Sequence, residues 1–105
     1  MPELTHTLLL NYQEFAASLT GALREKVDKL VGFLNRYLND EKFSEEELEA
    51  IETTIVEVKE MIPDAQSEIQ ATLTEMTNVS KEVVRKVRLR PADETGRRPD
   101  NVKSY

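Results

Sequence analysis

The sequence predicts an all-α protein, a long antiparallel helical hairpin whose copies pair into a four-helix bundle or coiled coil. Three observations predict it. Counting in sevens from Leu48 gives Leu48, Ile55, Ile62, Ile69, Met76 and Val83, all apolar, and three residues after each stand Ile51, Val58, Ala65, Thr72, Val79 and Lys86. A seam of that length, apolar at a and largely so at d, packs one helix along another. Residues 3–39 carry a second helical pattern with an unusually wide apolar arc. Turn formers are scarce: there are 3 glycines and 4 prolines, and two of the prolines, Pro91 and Pro99, lie in the C-terminal segment.

The first helix is predicted over 3–39. Leu8, Tyr12, Phe15, Leu19, Leu23, Leu30, Leu34 and Tyr37 recur at helical spacing, and Leu9, Ala16, Val27, Val31 and Leu38 form a row beside them. Together the rows cover about half the circumference, wider than the roughly 100° stripe of a helix with one neighbour. A helix of that kind needs more than one partner. Leu8, Leu19 and Leu30 also repeat at a fixed spacing that favours a nearly straight path. Gly21 and Gly32 each cost about 1 kcal/mol relative to Ala inside a helix. The apolar spacing passes through Gly21 unbroken, so the helix is expected to continue across it.

Asn39 and Asp40 end this helix, because short polar side chains compete with the backbone for hydrogen bonds. The turn is placed at 40–44 and the second helix at 45–90. Its start is strongly written. Ser44 and Glu47 form a capping box, and Phe43 and Leu48 form the matching hydrophobic staple. Glu45, Glu46 and Glu47 fill the first turn, where negative charge suits the helix dipole. Pro63 interrupts the pattern by removing a backbone donor and crowding the preceding turn. Ile55, Ile62, Ile69 and Met76 keep one register on both sides of it, so a kinked but continuous helix is expected. A three-helix monomer broken at Ile62 is the alternative. Pro91 stops the second helix, and the polar tail 91–105 is expected to be disordered.

Helices of these lengths would be about 54 Å and about 65–70 Å long. A lone hairpin would leave part of the first helix's arc wet, and a second copy would cover it. The shared core is therefore assigned to Leu19, Leu30 and Leu34 with Leu48, Ile51, Ile55, Val58, Ile62, Ile69, Met76 and Val83. Charge suggests how the copies are oriented. Residues 1–80 carry 6 basic and 16 acidic side chains, whereas residues 81–105 carry 8 and 4. Antiparallel pairing of two second helices would set the acidic 40–60 region of one against the basic 81–90 region of the other. Exposed pairs contribute under about 1 kcal/mol each, enough to choose an orientation.

Chemistry is thinly represented. His6 is the only histidine and cysteine is absent, which leaves no Cys-based zinc site, thiolate or disulfide framework. The glutamates at 45–49 lack the Asp/Asn/Gly loop of an EF-hand and the Glu-x-x-His pairs of di-iron bundles. No glycine-rich phosphate loop and no nucleophile elbow is present. The chain is expected to be no enzyme and to need no cofactor or metal. Nor does it hold an apolar run of the roughly 18 residues that span a bilayer, and it is read as a soluble, unprocessed cytoplasmic protein.

The candidate partner site is the basic segment Lys81, Arg85, Lys86, Arg88, Arg90, Arg97 and Arg98, expected to overhang the hairpin. Part of this charge simply offsets the dipole at a helix C-terminus. The expected function is that of a homodimeric, non-enzymatic assembly protein (an adaptor, scaffold or small chaperone) whose basic end and tail engage a protein partner. A nucleic-acid-associated regulator using the same arginines is the first alternative. The acidic body and the lack of interleaved aromatic residues disfavour it. A ligand- or metal-binding bundle, with Tyr12, Phe15, Phe33 and Tyr37 around a pocket, is the second.

Overall fold

Two interruptions of the backbone set the architecture. A computed structural model of the protein describes residues 3–89, and within them the chain forms four α-helices: α1 (His6–Ala17), α2 (Gly21–Leu38), α3 (Glu45–Met61) and α4 (Ser67–Leu89). A single 3₁₀ turn, Ile62–Asp64, joins α3 to α4. The expected tail 91–105, with Arg90, Arg97 and Arg98, lies outside the described residues.

The first correction concerns the helix expected over 3–39. It is divided at residues 18–20 into α1 and α2. The amides of Ser18 and Leu19 bond to the carbonyls of Phe15 and Ala16, tightening the last turn of α1, and the Ser18 hydroxyl donates to the Phe15 carbonyl at 2.7 Å. Thr20 is extended, and Gly21 takes φ +69°. That left-handed conformation comes without steric cost to glycine. Helical spacing persists across the break because α1 and α2 face the same core from two directions.

The second correction concerns Pro63. The helix is broken there rather than kinked. α3 stops at Met61, Pro63 sits at the start of the 3₁₀ turn, and Ala65 is extended at φ −84°, ψ 161°. A proline is tolerated at a helix start, where its missing N–H has no partner to lose. Gln70 then secures the reversal, its side-chain amide donating to the carbonyls of Ile62 and Ala65, each at 3.0 Å. α4 comes back along α3 instead of extending it.

The helices pack in sequence, α1 on α2, α2 on α3 and α3 on α4, with α2 also touching α4. Ion pairs report antiparallel neighbours. Lys26 meets Glu57 and Arg36 meets Glu47, so ten residues forward on α2 are ten residues back on α3. Arg88 near the end of α4 meets Glu45 and Glu52 near the start of α3. The expected overhang of 81–90 is therefore absent as far as Leu89: these residues lie alongside α3.

The core draws on every helix. Leu9, Tyr12, Ala16 and Leu19 come from the first segment; Val27, Leu30, Val31, Phe33 and Leu34 from α2; Leu48, Ile55 and Val58 from α3; Leu73, Met76, Val79, Val83 and Val84 from α4. Of the expected seam, Ile51, Ile62 and Ile69 pack partly buried at its edge. Much of the wide apolar arc is thus covered within one chain, with Leu8, Phe15, Leu23, Tyr37 and Leu38 partly buried. Buried Tyr12 ties α1 to α4, its hydroxyl donating to Glu75 at 2.5 Å. Burial, then the bond to Glu75, raises its pKa above the ordinary tyrosine value. Among the described residues no helix is long and apolar enough to cross a membrane.

Three polar side chains enter the core. Thr54 and Thr77 donate to the carbonyls of Ala50 and Thr74, but the Ser80 hydroxyl, fully buried, has no partner among the described residues. A buried hydroxyl without a bond costs about 1–3 kcal/mol. Ser80→Ala should therefore leave thermal stability unchanged or raise it by about 1 kcal/mol, and a loss of that size would reveal an unrecognised partner. The glycines should respond in opposite directions. A Cβ at either meets nothing within 4 Å. Gly21→Ala should cost about 1–2 kcal/mol through its backbone angle alone. Gly32→Ala, inside α2, should gain up to about 1 kcal/mol. Melting curves of the two variants that shift the same way would contradict the break at Gly21.

Candidate functional site

Two surfaces concentrate charge around apolar side chains. The first is the α2–α3 turn. α2 ends with Asp40 at φ 59°, a left-handed position that Asp tolerates better than most residues, and the Glu41 amide bonds back to the Arg36 carbonyl. The Arg36 guanidinium then reaches three acceptors: Glu41 at 3.0 Å, Glu47 at 2.6 Å and the Lys42 carbonyl at 2.9 Å. It also lies 4.5 Å from the centre of the Phe43 ring, which in turn packs against Phe33. Glu47 completes the capping box with Ser44. This surface is tied down by its own residues, which suits a structural role.

The second surface is the groove between α3 and α4. It encloses about 620 Å³. Ile55 and Val84 form its floor and are buried, while Val56 beside them is 54% exposed. Glu52 and Lys59 rise on the α3 side, and Asn78, Lys81, Glu82, Arg85 and Arg88 on the α4 side. The arginines are engaged. Arg88 donates to Glu45 at 2.5 Å and Glu52 at 2.9 Å, and Arg85 pairs with Glu82 one turn earlier. The hydrogen bond from Arg85 holds the Glu82 carboxyl below the usual glutamate range, and the bond to Glu45 raises Arg88. Lys59 and Lys81 make no ion pair with any described residue.

The basic segment expected from the sequence is thus divided by the fold. Lys81, Arg85, Lys86 and Arg88 are all exposed on α4. Arg88 faces α3, where α3's own glutamates neutralise it, and Lys86 and Arg85 both act on Glu82. Only Lys81 is brought to the groove uncommitted. Val56 and Lys59 were not singled out by sequence reasoning. The available signal was the Ile55-Val56 doublet, in which the second residue falls off the seam. His6 is exposed at the start of α1, and no group of three or more potential ligating side chains that could hold a metal occurs among the described residues.

No protein-family model matches the chain, and no curated protein sequence or solved structure matches it either.

The Arg36 cluster makes a testable statement about pH. The hydrogen bond from Arg36, then that from the Ser44 amide, depresses the Glu47 pKa. A carboxylate with a lowered folded pKa contributes stability above its unfolded value and loses it as pH falls through the folded one. Urea midpoints should fall on acidification below the ordinary glutamate range, and Glu47→Gln should flatten that fall. An unchanged acid profile would contradict the assignment.

Proposed function

We propose that this protein is a non-enzymatic interaction protein whose α3–α4 face receives a helix from another protein. The observation that carries the reading is Val56, a branched apolar side chain more than half exposed over a groove whose floor is core. A groove of this kind between two antiparallel helices is the form that accepts an amphipathic helix through residues spaced i, i+3, i+4 and i+7. A sequence with one histidine and no cysteine agrees with a binding role rather than catalysis. A homodimer, as expected from the sequence, would compete with the partner helix if it used this face.

The nucleic-acid reading loses support from the ion pairs. Phosphate recognition favours free cations, and of the described arginines in the basic segment both Arg85 and Arg88 are paired with carboxylates, which leaves fewer cations for a phosphate backbone. The expected cytoplasmic setting is retained as part of the proposal.

A photo-crosslinking amino acid placed at Val56 in the producing cells tests the reading. It should give a discrete protein adduct that is absent when the same residue replaces exposed Glu25 on α2. Equal labelling from both positions, or an adduct with nucleic acid, would contradict it.

A further inference from the structure

The groove inverts the charge of the molecule that carries it. The chain has a net charge of −6, yet among the described residues the groove brings Lys59, Lys81, Arg85 and Arg88 together with Glu52, Glu82 and, at its end, Glu45. Resting on the helix-receiving reading above, we infer that the occupant is an acidic amphipathic helix, with carboxylates flanking a short apolar stripe.

The size of the site fits a short element. Residues 52–59 of α3 rise about 10 Å and residues 78–88 of α4 about 15 Å, so a partner of two to three helical turns covers it. Its apolar side chains meet Val56, with Ile55 and Val84 beneath. Lys59, three residues beyond Val56, and Lys81 across the groove supply cations that make no ion pair with a described residue. These set where the partner's acids fall. At the other end Glu45 and Glu52 clamp Arg88 and close the site to further negative charge.

Arg85 lies between these extremes. Glu82, on the same helix, occupies its guanidinium by an exposed pair that spans one turn and holds no two helices together. A partner carboxylate therefore reaches Arg85 by displacing Glu82. Exchange of one exposed pair for another gains little affinity and sets orientation instead. Glu82 acts as an internal competitor, and its removal tightens binding.

A displayed library of 14-residue helices tests this directly, with apolar residues fixed at i, i+3, i+4 and i+7 and flanking positions randomised over Glu, Gln and Lys. Selection against the wild-type chain, with counter-selection on Val56→Glu, should enrich Glu in the flanks. The selected peptide should lose about ten-fold or more in affinity on the double variant Lys59→Glu/Lys81→Glu, two reversed pairs. It should gain about three-fold on Glu82→Gln and be unchanged on Glu25→Gln, which alters net charge equally from a distant helix. Flanks rich in Lys or unbiased would overturn the acidic partner and leave the helix-receiving face standing. Equal affinity for wild type and Glu82→Gln would overturn the competitor role. No Val56-dependent peptide at all would overturn the face itself. Sedimentation as a dimer that Val56→Glu dissociates would assign the groove to a second copy and overturn the inference.

Discussion

Two breaks in the helical pattern, one at Gly21 and one at Pro63, are the constraint on which the rest of the structure depends. Each stands in the middle of an apolar pattern that a straight helix would display to solvent along its whole length. Gly21 reaches a left-handed angle that any other residue would adopt at a cost, and Pro63 starts a short turn that needs no donor at that position. Together with the turn between α2 and α3, these breaks bring four stripes together, so that Leu30, Leu34, Val58, Leu73 and Met76 reach full burial in one chain. Small chains are marginal because little of their surface is removed from water, and folding back repeatedly is how this one increases that fraction.

Electrostatics follows from the same breaks. Antiparallel α3 and α4 set an acidic helix start against a basic helix end, and Arg88 joins them through Glu45 and Glu52. Sequence reasoning found this complementarity and placed it between two copies, whereas the fold satisfies it inside one. Such exposed pairs are screened by water and add little stability, so they fix register and leave stability to the core. The consequence for function is selective. Glu45, Glu47 and Glu52 along the α3 start are paired within the fold, while Lys59 and Lys81 beside Val56 make no ion pair with a described residue.

The capping box at Ser44 was fully legible, because its signal is local and its geometry follows from residue types three apart. The all-helical class was legible from periodicity. The breaks were not. A period of 3.6 or 3.5 reports which residues face apolar surroundings, and residues on both sides of each break face one common core. Leu19 and Leu30 keep their spacing across Gly21, and Ile55, Ile62 and Ile69 keep theirs across Pro63, although the helix is broken between them. The groove was hidden for a related reason. Val56 reads in sequence as a neighbour of the seam, and only the return of α4 turns that position into the wall of a site. The Arg36 cluster depends on a left-handed Asp40, which no spacing rule announces.

The distance between Glu46 on α3 and Lys86 on α4 tests the account most directly. Spin labels at both exposed positions, with the labelled chain diluted into excess unlabelled protein so that only pairs within one molecule are read, give it by pulsed electron resonance. Packed antiparallel helices lie about 8–10 Å apart at their axes, so the account predicts a label distance below about 25 Å. A continuous helix through Pro63 would separate the two positions by about 60 Å, and that result would contradict it.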